Sequence, residues 1–224
     1  MTLANQILSF YKSLSLQVKL PQGVEVLNPY QNATALELCE KFYNKFYNDA
    51  RPRRMILGIN PGRLGGGITG IPFTDPVKLE KNCGIPNSLP KKAELSADFI
   101  YSMIDSNGGP HKFYSNFFIG AVCPLGFTKN GNNFNYYDDK SLESTVREFI
   151  ATSLQAQLDF PIDRTVCYCL GEGKNYGYLT KLNAEHGFFN KITPLPHPRF
   201  IMQYRRKKIT DFINLYTQKF SHPE

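Results

Sequence analysis

The sequence predicts an α/β protein, a three-layer αβα sandwich built on a four-stranded parallel sheet. Three observations predict it. Four short apolar runs alternate with stretches whose apolar residues recur at helical spacing, the pattern of a mostly parallel sheet with helices on both faces. The 224 residues give room for one domain with a sizeable core. The 42% apolar content, with 17 Phe, 13 Tyr and no Trp, is that of a packed globular chain and excludes a disordered or collagen-like one. A single domain over 1–224 is expected, with a helical part over 1–50 and an α/β core over 51–224.

From Thr2 to Gln17, Leu3, Ile7, Phe10, Tyr11 and Leu14 recur at helical spacing, and the Pro21-Gln22-Gly23 break follows. A second helix is expected from about Asn32 to Tyr47, where Leu36, Cys39, Phe42, Tyr43 and Phe46 repeat the spacing behind a cap. The period then changes. Arg53 to Asn60 is a short apolar run closed by Pro61-Gly62, as in a buried strand that ends in a loop. Tyr114 to Val122, Arg164 to Leu170 and Phe188 to Leu195 have the same character. Helical patterns lie at about Ala97 to Asp105, Ser141 to Leu158, Lys174 to His186 and Ile201 to Phe220. The Gly/Pro-rich stretches Gly62 to Pro90 and Gly126 to Asn135 follow the first and second strands, and are expected as long irregular loops at the carboxyl end of the sheet, where ligands bind.

Lys and Arg number 26 against 19 Asp and Glu, a formal charge of +7 and a pI near 9.1. That balance suits a polyanionic partner and also serves plain solubility. No run of about 18 uncharged apolar residues offers a membrane span, and Met1 to Leu20 lacks the charged start and cleavage site of a signal peptide. A cytoplasmic location is expected. Cys39, Cys83, Cys123, Cys167 and Cys169 include no C-x-x-C pair, so buried, reduced packing residues are expected, with no metal and no cofactor.

The segment from Gly58 to Phe73 is the most unusual in the chain. Gly65, Gly67 and Gly70 formally satisfy G-x-G-x-x-G, but a dinucleotide site needs a helix that opens within the glycine turn, and Pro72, Pro76 and an irregular stretch are expected there instead. Gly173-Lys174 is followed by Asn175, without the Ser or Thr of a phosphate-binding P-loop. A glycine cluster can simply make a tight turn, yet that leaves the aromatic Phe73 on such a loop unexplained.

Gly58-Ile59-Asn60-Pro61-Gly62 and Thr69-Gly70-Ile71-Pro72-Phe73 resemble the first motif of the single-strand-selective monofunctional uracil-DNA glycosylases. Cys123-Pro124-Leu125 resembles that family's Cys-Pro-Leu, and Pro196-His197-Pro198-Arg199 its terminal His-Pro motif. The resemblance covers about Arg54 to Lys208. It implies a uracil-DNA glycosylase-like fold and a monomeric enzyme that flips a damaged base out of DNA and cleaves its N-glycosidic bond.

Glycosidic cleavage leaves positive charge on the sugar and negative charge on the departing base, so a site must stabilise both and aim a water. The resemblance assigns Asn60 to the water and His197 to the leaving base. An amide orients a water but is no strong base, and an Asn before Pro also caps its own turn. The resemblance makes Phe73 the stacking ring; base-binding roles fall to Ile59, Gly62, Ala121 and Val122 around it. Arg199, Phe200, Ile201 and Met202 are expected as plug and wedge in the DNA, and Arg205, Arg206, Lys207 and Lys208 on phosphates. His111, His186 and His222 have no motif around them. No lysine has a Schiff-base context, so water is the expected nucleophile and an abasic site the product. A non-catalytic module that grips DNA or a nucleotide on the same fold is the alternative.

Two departures bear on specificity. Where the family carries a uracil-reading Asn just before Cys-Pro-Leu, this chain has Gly120-Ala121-Val122, and Ala121 has no side-chain donor or acceptor. A site that loses a hydrogen-bonding partner loses discrimination, so xanthine or hypoxanthine joins uracil as an expected substrate, a change that resembles a bacterial second branch of the family. The second departure is a shortened last motif, His197-Pro198-Arg199-Phe200 in place of His-Pro-Ser-Pro-Arg-Asn.

Overall fold

The computed structural model describes residues 1–222. Helix α1 (Leu3–Ser13) is capped by Thr2, whose hydroxyl accepts the Asn5 N–H, and α2 (Ala33–Phe46) by Asn32. Both bury one apolar stripe: Leu3, Ile7 and Tyr11 from α1 meet Phe42 and Tyr43 from α2, with Tyr11 stacked on Tyr30 at 4.1 Å between ring centroids. The pattern that extended the first helix to Gln17 overshoots, because Leu14 leaves helical geometry and donates its N–H to the Tyr11 carbonyl.

The central sheet is parallel, with strand order β3-β2-β6-β7, where β2 is Arg53–Gly58, β3 Phe117–Ala121, β6 Ile162–Leu170 and β7 Ile192–Leu195. The long α7 (Lys140–Leu158) and α8 (Lys174–His186) link the later strands and help cover the sheet. The α/β expectation is met. β2 and β3 are buried at nearly every position, as strands covered on both faces must be. Arg53, fully buried, and Arg54 sit where β2 enters the sheet, bonded to Asp49 and to the Phe220 carbonyl respectively, so they lie at the end opposite the carboxyl-end loops.

Three expectations need correction. The stretch Gly126 to Asn135 is not an irregular loop: β4 (Gly126–Lys129) and β5 (Asn132–Phe134) form a hairpin, and β1 (Val24–Leu27) pairs with β4 to make a separate antiparallel sheet. The hairpin turns on Asn130-Gly131, with φ of 52° and 72°, the left-handed pair that such two-residue loops require. Second, Gly62 to Pro90 holds a helical turn, α3 (Gly66–Thr69), and the helix α4 (Pro76–Lys81) capped by Asp75. A helix does open in the glycine run, but it stops after four residues at Gly70, whose φ is 74°. Third, the expected Ile201 to Phe220 helix is two. α9 (Pro198–Tyr204) packs on α5 (Leu95–Ser106) through Ile201 and Met202; the chain turns through Arg205 to Lys208, and α10 (Ile209–Ser221) brings Tyr216 and Phe220 into the core. A short α6 (Gly109–Tyr114) leads into β3.

Candidate active site

The carboxyl ends of β2, β3 and β7 converge on a cavity of about 350 Å³, a size suited to a small planar ligand. Of the residues expected there, Ile59, Asn60, Gly62, Phe73, Ala121, His197, Arg199 and Phe200 all line it. Val122 does not. Its side chain is fully buried in the core and its N–H is spent on the Gly58 carbonyl, so it holds strand ends together rather than facing a ligand.

Asn60 leaves β2 where Cys123 donates its N–H to the Ile59 carbonyl. Its side chain is held by the hairpin: Nδ2 donates to the Phe134 carbonyl at 3.4 Å and Oδ1 accepts the Tyr136 N–H at 3.3 Å. Tyr136 is fixed in turn, its hydroxyl donating at 2.8 Å to Asn175, which is itself buried beneath the ends of β2 and β6. The expectation that Asn60 caps its own turn is therefore not met. The amide does bind backbone, but across the chain, and it remains on the cavity wall with a second lone pair on Oδ1.

Phe73 stands at φ 53°, a left-handed conformation that costs a non-glycine residue on the order of 1–3 kcal/mol. Thr69 holds it there: its hydroxyl donates to the Thr74 carbonyl at 2.6 Å and accepts the Ile71 N–H at 3.2 Å. The ring lies on Gly58, where a Cβ would come within 2.7 Å of it, so glycine at 58 is needed for the ring to close one side of the cavity. It is half-buried, packed on the core at its rear edge.

His197 faces this ring at 6.0 Å between centroids. It caps α9, with Nδ1 accepting the Arg199 N–H at 3.1 Å, which leaves the proton of the neutral ring on Nε2. The carbonyl before it, on Pro196, is anchored by the buried Tyr216 hydroxyl. Burial, with the Arg199 charge adding to it, drives the His197 pKa down to about 4. The imidazole is thus a neutral Nε2–H donor at physiological pH.

The rim is basic and aromatic. Arg199, Phe200 and Tyr204 are exposed at the mouth; Phe200 and Tyr204 pack at 5.7 Å, with the Arg205 guanidinium 5.4 Å from the Phe200 ring. Arg206 and Lys207 are exposed on the turn after α9 but do not line the cavity. Ile201 and Met202 are buried and cannot act as wedges. Six lining residues went unnoticed in the sequence: Glu94, Ser96, Asn133, Asn135, Gln203 and Tyr204. Only Tyr204 carried a signal, one helical turn beyond Phe200. A second cleft shares Ile59, His197 and Phe200 and is bordered by Lys174 at the start of α8. All five cysteines are free and buried, in keeping with packing roles.

The fold and this cavity define a DNA glycosylase, a hydrolase of N-glycosyl bonds. A family model of the uracil DNA glycosylase superfamily matches residues 45–221, and the chain belongs to that superfamily. Among solved structures it is similar to the crystal structure of wild-type SMUG2 from Pedobacter heparinus, with 45% identity over 99% of this chain and 97% of that one and a TM-score of 0.96. A comparison with curated proteins returns no match. Among the described residues no helix is long and apolar enough to cross a membrane.

Proposed function

We propose that this protein is a monofunctional, monomeric glycosylase that takes a deaminated base, uracil or one of hypoxanthine and xanthine, flipped from DNA, and leaves an abasic site. The observation that carries this reading is the neutral His197 donor set across one cavity from Asn60 and against the Phe73 ring. A base stacked on Phe73 departs as an anion, and a neutral N–H donor stabilises that anion without first releasing a proton to it. Asn60 orients the attacking water through its remaining Oδ1 lone pair. No lysine lines the cavity, which favours water over an amine as nucleophile.

Base choice rests on what surrounds Ala121. The alanine leaves space at the end of β3 where an amide would read one base edge, so backbone groups of Ile59 to Gly62 and the polar rim carry recognition of more than one base. Arg199, Phe200 and Arg205 engage the strand at the mouth, with Arg206 and Lys207 on flanking phosphates. The test is alkali-developed strand cleavage of single- and double-stranded oligonucleotides carrying uracil, hypoxanthine or xanthine. Release of at least one of these bases is expected. Tight binding with no release of any would leave a DNA-gripping module and overturn the proposal.

A further inference from the structure

We propose that Glu94 is the general base of the hydrolysis, taking the proton from the water that attacks C1′ of the sugar. The inference deepens the function proposed above and rests on it. Glu94 immediately precedes α5 and lines the same cavity as Asn60, Phe73 and His197. Its carboxylate lies on the loop that leaves Asn60: Oε1 is 3.7 Å from where a Cβ on Gly62 would stand, and a Cβ on Gly65 would collide with Oε2. Glycine at 65 makes room for the carboxylate beside the water-bearing segment, and Gly62 lies within ordinary contact of it.

The carboxylate is held in place yet unspent. The Glu94 N–H donates at 2.8 Å to Oδ2 of Asp75, a buried residue two beyond Phe73, whose Oδ1 accepts the Val77 and Lys78 N–H groups. The same loop thus positions the stacking ring and Glu94. Asp75 is saturated by backbone donors, whereas no hydrogen bond or ion pair to the Glu94 carboxylate occurs among the described residues. A half-buried carboxylate without a partner is costly unless a ligand or water completes it.

The chemistry leaves this task open. Asn60 carries no charge and is tied at both ends of its amide. His197 has Nδ1 filled and its proton on Nε2, the arrangement of a donor. Among the described residues, the cavity wall carries no other carboxylate or imidazole; Arg199 and Tyr204 contribute a guanidinium and a phenol at the rim. The charges acting on Glu94 are Asp75, at the start of α4, and Arg199, on α9; burial first and Asp75 second push its pKa up to about 7, against the opposing pull of Arg199. A base poised there both holds and releases a proton near neutrality. In the step, the water oxygen bonds to C1′ as the C1′–N bond breaks. The electron pair leaves with the base, held by His197 Nε2–H. The water proton passes to a Glu94 carboxylate oxygen and then to solvent, and the departed base is protonated from solvent.

The experiment is single-turnover cleavage of a uracil oligonucleotide, with enzyme in excess, from pH 5.5 to 8.5. It uses the parent, Glu94→Gln and Glu94→Asp, with affinity for a non-cleavable 2′-fluoro analogue measured alongside. The parent rate is expected to rise through about pH 7 to a plateau. Glu94→Gln is expected to lose about 100-fold at the plateau and to show no rise, with affinity for the analogue kept. Glu94→Asp, which retains a carboxylate, is expected to be slower but to keep the rise, so a merely structural role is excluded even where Gln perturbs the fold. Parental rate or an unchanged pH rise in Glu94→Gln, or loss of the rise in Glu94→Asp, overturns the inference. A parent that releases no base overturns the proposed function instead.

Discussion

Because Nδ1 of His197 accepts the Arg199 N–H and burial lowers its pKa to about 4, the ring stands on the cavity wall as a neutral N–H donor. The linkage to stability has a definite sign. An ordinary imidazole in the unfolded chain titrates near 6.5, so between 6.5 and about 4 the unfolded state takes up the proton first and folded stability falls with pH. Glu94, raised from 4.5 to about 7, acts in the opposite sense over an overlapping range, so the histidine contribution is isolated by difference. His197→Gln is expected to lose less melting temperature than the parent between pH 6.5 and 4.5; an identical loss would mean that the ring is charged when folded. At Ala121, Ala121→Asn restores an amide at the end of β3 and is expected to raise the uracil-to-hypoxanthine rate ratio by roughly tenfold, the scale of about one hydrogen bond. An unchanged ratio in a steady-state comparison would place base reading elsewhere. Asn60, Phe73 and His197 were legible because each sits in a motif. Glu94 was not, because nothing around it in the sequence marks it; only the fold brings it onto Gly62 and Gly65.

The elements that aim these residues were less legible than the residues. Asn130-Gly131 is a strong hairpin signal, but its flanks, Gly126–Lys129 and Asn132–Phe134, are too polar and short to look like strands beside the apolar runs of β2 and β3. β1, with two of its four residues exposed, was hidden for the same reason. The hairpin shapes the cavity wall because it clamps the Asn60 amide and because Gly126 lets it approach Pro61, where a Cβ would strike the Pro61 carbonyl oxygen. Gly126→Ala is therefore expected to cost about 1–3 kcal/mol in a denaturant titration and to slow cleavage through a displaced Asn60. Full activity with the lost stability would show that the clamp is not needed. The long final helix expected from Ile201 onward breaks at Arg205 to Lys208; both halves contact α5, and α10 also sets Phe220 against the Phe117 and Tyr168 rings of the sheet, an arrangement that helical spacing alone does not reveal.

Over the whole molecule, the parallel sheet was legible because β3, β2 after Arg54 and the second half of β6 are buried and stay apolar, and the sheet's direction sets the cavity residues at one end. The excess of +7 becomes local in the fold: Arg199, Arg205, Arg206 and Lys207 cluster near the cavity mouth, while Arg53 and Arg54 are bound into the far end. Removing Arg205 and Arg206 together is expected to weaken binding on every sequence and to reduce the salt slope by about one per charge removed. An unchanged slope in a fluorescence-anisotropy titration would move the DNA face away from α9. The central claim is that Asn60 and His197, on one cavity, perform the hydrolysis. Its most direct test is the single-turnover rate of uracil release by the parent, Asn60→Ala and His197→Ala at pH 7.5, with DNA affinity measured on the same preparations. Each variant is expected to lose roughly 100-fold or more in rate while affinity changes little; parental rates in either variant would contradict the account.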